Sequence, residues 1–207
     1  MFGLRSFVLA VTVLAITLPS SRWRSESQQS TPKSIPLTQG VLPTKGQVES
    51  GIYKNDSIGL QFTPAENLHL QAPEIVGTPG TTPLVVKVEA NAKSGLLSGL
   101  FSARSLTIFY ADALAYYPEE QRNPSRYLKK VVRANEADGY QHVNGKSSDE
   151  ISGVSFMRAD FTKREVYEVV LVTTHNDYAF VFIFAGSDVG VVNKMVASTK
   201  AKFIPQK

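Results

Sequence analysis

The chain contains no cysteine. Disulfides, thiolate-bound metals and thiol nucleophiles are therefore excluded, and so is a lipid anchor on a cysteine behind a leader. Histidine is scarce: His69, His142 and His175 never lie three or four residues from one another, so the helical zinc spacing is missing. There is no G-x-S-x-G nucleophile elbow. The glycines of G-T-P-G-T-T-P (77–83) have no following Lys-Ser or helical pattern, so this stretch reads as a turn rather than a phosphate loop. The one tryptophan, Trp23, sits near the N-terminus.

Excess charge is also small where it matters. The formal net charge is +4, but Arg5, Arg22 and Arg24 precede the first acidic residue, leaving 19 basic against 18 acidic residues from Ser25 onward. A balanced remainder gives no nucleic-acid footprint. The basic start, the apolar run at 7–18 and the Pro19-Ser20-Ser21 break have the form of a secretory signal over 1–24. Twelve residues fall short of the roughly 20 needed to span a bilayer as a helix. Export to the periplasm or the medium is expected, with retention by an uncleaved leader as the alternative. Residues 25–50, rich in Ser, Gln, Thr and Pro, read as a flexible linker. One domain is expected over 51–203, followed by a short tail at 204–207.

Within that domain the periodicities alternate between two and 3.6. I52-Y53, residues 59–63 and 68–71 are short extended pieces around the polar Lys54-Asn55-Asp56-Ser57 knot, which reads as a turn. L-V-V-K-V-E-A (84–90) and S-L-T-I-F-Y (105–110) are strands. Asn123 and Pro124 cap a helix whose Tyr127, Leu128, Val131 and Val132 share one face, ending at Gly139. Four further segments, 140–145, 153–162, 165–174 and 178–186, read as strands, the last two joined by a His175-Asn176-Asp177 hairpin. Residues 179–185 are apolar on both faces, which predicts a central strand covered on both sides. Ser187-Asp188 caps a closing helix expected to run to about 203, with Val192, Met195, Val196, Thr199 and Phe203 at helical spacing.

This order of parts resembles the PsbP/Mog1-like superfamily. The resemblance rests on Gly51, Tyr53, Asn55, Gly59, Leu60, Phe62 and Pro64 at the start. It continues with Arg158, Asp160, Phe161, Tyr167, Tyr178 and the F-V-F-I-F strand. Where the family continues into P-x-x-W, this chain has Pro64-Ala65-Glu66-Asn67. The resemblance implies an α+β, single-domain α/β/α sandwich with a mainly antiparallel sheet. It would carry a central helix at about 124–137 and a C-terminal helix at about 188–203. It also implies an accessory binding role without catalytic residues or a cofactor.

Residue by residue, the chemistry is sparse. Arg158 and Asp160 share one strand face and suit an ion pair. His175 and Asp177 suit a hairpin turn better than an acid/base or metal pair. Leu96, Leu97, Leu100 and Phe101, flanked by Lys93 and Arg104, recur at helical spacing between Gly95 and Gly99. They are the expected contact surface for a protein partner or envelope component, with membrane-surface contact left open. The alternative function is a small-molecule-binding domain or weak hydrolase, with a cleft formed by Asp160, His142, Tyr116, Tyr117 and Tyr140. A purely structural envelope component is the third possibility. No metal site is expected.

Overall fold

The computed structural model describes residues 43–66, 68–77, 85–92, 105–117, 119–143 and 145–204. Expectations placed on the leader, on 25–42, on most of the 77–83 turn and on 93–104 lie outside these residues. Leu96, Leu97, Leu100 and Phe101 are among those outside.

Three long strands carry the fold: Val154–Lys163 (β10), Val166–His175 (β11) and Tyr178–Gly186 (β12). β11 and β12 form a hairpin closed by Asn176 and Asp177, both at positive φ (47° and 61°). Asn and Asp tolerate that left-handed conformation, and two such residues in succession match the twist of the flanking strands. After Tyr178, β12 has no polar side chain, and the strand is buried along its whole length.

Around it lies a nine-stranded sheet in which every pair is antiparallel. The other members are Leu68–Leu70 (β4), Glu74–Val76 (β5), Val85–Ala92 (β6), Leu106–Ala113 (β7), Gln141–Val143 (β8) and Ser148–Ile151 (β9). The path is β4-β6-β7-β12-β11-β10-β8, which puts β12 at the middle. Both outer columns are divided: β5 pairs with one half of β6 while β4 takes the other, and β9 and β8 share β10 likewise. A second, four-stranded sheet runs Gln47–Glu49 (β1), Ile52–Asn55 (β2), Leu60–Thr63 (β3) and Lys200–Phe203 (β13), in the order β1-β2-β3-β13. Two α-helices complete the described fold, Pro124–Ala137 (α1) and Val189–Ser198 (α2). The class is α+β with mostly antiparallel strands.

Register assigns the faces. Phe182 stands opposite Phe109 and Leu171, and Phe184 opposite Val169. Period two puts these side chains on one face with Phe180. There they meet Tyr53 and Phe62 of the small sheet and Val192, Met195 and Val196 of α2 in one core. Phe62 packs edge-on to Phe182 at 5.4 Å and tilted to Phe109 at 5.3 Å. Such pairs add about 1 kcal/mol each to the area buried. The other face presents Ala179, Val181, Ile183 and Ala185, and α1 packs on this side through Tyr127, Leu128, Val131 and Asn135.

Two expected boundaries need correction. The fold begins before Gly51: β1 pairs with β2 through Val48↔Tyr53, so the linker does not extend to residue 50. The C-terminal helix stops at Ser198, and Lys200–Phe203 is a strand paired with β3, not a last helical turn. Thr199 and Phe203 fit helical spacing, but K-A-K-F also alternates strictly. Burial follows that alternation, with exposed Lys200 and Lys202 and buried Ala201. Pairing with β3 uses backbone groups that a frayed helix end would leave to water.

The polar knot is a turn with a structural duty. Asn55 is buried, and its Nδ2 donates to the Thr44 carbonyl (2.6 Å) and the Tyr53 hydroxyl (2.9 Å). Its Oδ1 accepts from the Ser57 amide (3.0 Å) and hydroxyl (2.7 Å). The chain before β1 is stitched to the turn by this amide together with the Ser57 hydroxyl, which accepts from the Thr44 amide at 2.9 Å. Gly46 lies where it must: at φ +70°, a Cβ there would come within 2.7 Å of the Lys54 carbonyl. Asn55→Ala removes four hydrogen bonds, among them the one to the buried Tyr53 hydroxyl, so it is expected to cost on the order of 2 kcal/mol. Urea unfolding checks this; an unchanged midpoint would show that the stitch contributes nothing.

Candidate functional site

Asp160 and His142, the centre of the expected cleft, do not meet. β8 pairs with β10 through Asp160↔Val143 and Phe161↔His142, which puts the two side chains on opposite faces of the sheet. The His142 ring lies beside Phe161 at 5.4 Å. Tyr140 also turns to Phe161, with the Lys163 ammonium over its ring at 4.8 Å. Tyr117 is buried elsewhere, as described below, and the side chain of Tyr116 lies outside the described residues. The hydrolase cleft is therefore not built. His175 packs against Phe203 at 4.5 Å beside its hairpin turn, and His69 is exposed on β4. Among the described residues no group of three His, Asp or Glu side chains could hold a metal ion. Among the same residues no helix is long and apolar enough to cross a membrane.

Asp160 serves an ionic staple. Arg158 donates to it from Nε (2.6 Å) and Nη2 (2.9 Å), and the Tyr167 hydroxyl adds a third bond at 2.7 Å. Arg158 reaches Asp149 of β9 at 2.6 Å and Asn193 of α2 at 2.9 Å. Both Arg158 and Asp160 are at most 5% exposed. The Arg158 nitrogens and both Asp160 oxygens have partners within the cluster, which ties β9, β10 and α2 together. Removing one member of a buried pair typically costs about 3–5 kcal/mol.

The opposite face carries two buried carboxylates that sequence inspection did not single out. Asp112 of β7 accepts from the Tyr117 hydroxyl (2.5 Å) and the Tyr127 hydroxyl (2.6 Å) on the same oxygen. Its other oxygen is buried without a hydrogen-bond partner. Burial pushes its pKa up, against the tyrosine bonds and the positive charge of Lys130. Glu168 of β11 accepts from Asn135 Nδ2 at 2.7 Å, and burial pushes it up to about 7, against that bond and Lys163. Tyr127 lies in the first turn of α1 and Asn135 in the last, so the helix is held to the sheet at both ends. Asp112 and Glu168 are lone carboxylates in strands with runs of consecutive buried residues, and that apolar setting was the available signal of their desolvation.

An open recess lies on a different part of the surface. It is a groove of about 610 Å³ between residues 61–63 of β3, residues 200–203 of β13, and Ser152 and Val154 at the β9–β10 turn. β13 is the last strand of its sheet, and no described strand pairs with its outer edge. Ala201 directs its N–H outward to the Ser152 hydroxyl at 3.3 Å, while Ile204 donates inward to Gly59 at 2.9 Å. By the period of two, Phe203 turns its N–H and carbonyl to the outer side as well. The groove was hidden in the sequence by the helical assignment of 200–203; strict K-A-K-F alternation was the available signal.

Comparison with known protein families, with curated proteins and with solved structures gives no match for this chain.

The buried Glu168 generates a pH prediction. Its carboxyl takes up a proton on folding, because its pKa moves from 4.5 to about 7. The resulting stability is complete at low pH and is lost as pH rises through about 7, by on the order of 3 kcal/mol. Asp112 acts in the same direction. Glu168→Gln is expected to flatten the fall in unfolding free energy measured between about pH 5 and about pH 8. Equal slopes in the two proteins would refute the assignment.

Proposed function

We propose that this chain is an exported, non-enzymatic protein-binding module, built as an α/β/α sandwich of the PsbP/Mog1-like type. One observation carries the binding role: no described strand pairs with the outer edge of β13, which lies beside an open groove. Unpaired strand edges present backbone donors and acceptors in a row, and an extended segment of another protein can satisfy them. The buried carboxylates are engaged within the fold, Asp160 by Arg158 and Tyr167, and one oxygen of Asp112 by Tyr117 and Tyr127. The sandwich assignment draws support from α1 on one face of the large sheet and α2 with the small sheet on the other. Export rests on the leader-like start of the sequence.

Panning a displayed random-peptide library on the full chain tests the binding role. Recovered peptides are expected to slow hydrogen exchange at the Phe203 amide. They are also expected to lose affinity when N-methylated at alternate residues, because methylation removes the donors that strand addition uses. Recovery of no peptide, or protection confined to other parts of the fold, would overturn the role.

A further inference from the structure

The edge of β13 carries information about what it binds. Its two exposed side chains, Lys200 and Lys202, are alternate residues and project from the same face of the small sheet, away from the large sheet that buries Ala201. Neither forms an ion pair among the described residues. The strand beneath them is held in place. Its even-numbered backbone groups pair with β3, and Phe203 is packed against Phe180 at 5.0 Å and His175 at 4.5 Å. An added strand would therefore meet a rigid edge about 13 Å long with two cations spaced by one strand period.

We propose that the partner is an extended acidic segment, added to β13 as a further strand, with carboxylates at alternate positions beside Lys200 and Lys202. This rests on the protein-binding role proposed above and specifies its ligand. Charge decides between occupants. A second copy offering its own β13 would place lysines against lysines, which is destabilising when like charges face each other across a strand pair. A second copy offering β1 would bring only Glu49 as an acid. A foreign strand with acids two apart satisfies both lysines at once, and its carbonyls can replace the Ser152 hydroxyl as acceptor for the Ala201 amide. The outward groups of Ala201 and Phe203 supply most of the affinity, while the lysines select the sequence. Exposed pairs of this kind contribute well under 1 kcal/mol each, so the selectivity from two is about fivefold, and salt weakens it.

The experiment uses the full chain and three eight-residue peptides in which valine alternates with glutamate, glutamine or lysine. The glutamate peptide is expected to bind about fivefold tighter than the glutamine peptide, to weaken with added salt and to protect the Phe203 amide from exchange. In the Lys200→Glu/Lys202→Glu protein the order is expected to reverse, with the lysine peptide binding best. Both substitutions are at exposed positions, and an unchanged thermal midpoint confirms that the fold is intact. If all three peptides bind alike and protect Phe203, the acidic preference is wrong while the binding role stands. If none binds, and panning also recovers no peptide, both fail. Concentration-dependent sedimentation of the parent chain that disappears in the double variant would make a second copy the occupant and overturn the proposal.

Discussion

β12 contributes nine consecutive residues to the middle of the large sheet, and all nine are buried. A strand of that kind cannot leave either face to water, so the chain must bring cover to both sides of one column. The phenylalanine side meets the small sheet and α2, whose aromatic and aliphatic side chains fill the space over Phe180, Phe182 and Phe184. The smaller side, with Ala179, Val181 and Ile183, lies on the face that receives α1. Large residues on one face and small ones on the other allow one broad, irregular layer and one close helix.

That cover is secured in two different ways. On the aromatic face, α2 is tied by Arg158 through Asn193, within a charge cluster whose members are all paired. On the other face, α1 is held by carboxylates with raised pKa, one near each end of the helix. Burial disfavours the charged form of both carboxyls beneath α1, while the hydrogen bonds from the tyrosines and from Asn135 favour it. Alkali therefore charges the buried layer beneath α1 at a desolvation cost, without breaking the hydrogen bonds that hold the helix.

Part of this was legible in the residues themselves. Double-sided apolarity placed β12 at the centre, the Asn123-Pro124 start marked α1, and the i, i+2 spacing of Arg158 and Asp160 put them on one face. The Asn176-Asp177 pair announced its hairpin by turn chemistry alone. What escaped was set by tertiary context. His142 and Asp160 looked compatible until the register of β8 against β10 separated them. Residues 200–203 satisfied helical and strand periods equally well over so short a span, and only pairing with β3 decides for the strand. The raised pKa of Glu168 arises from burial beneath α1, a property of the packed layer.

The divided outer columns of the large sheet have a consequence for the behaviour of the chain in crowded solution. β4 and β5 on one side, and β8 and β9 on the other, are three or four residues long and interrupted between them. Fibril growth needs an uninterrupted template that an incoming chain can copy residue by residue, and six or seven residues is a typical length. Among the described residues, neither margin offers one. A protein whose central strands are among its most apolar segments thus keeps them away from its perimeter.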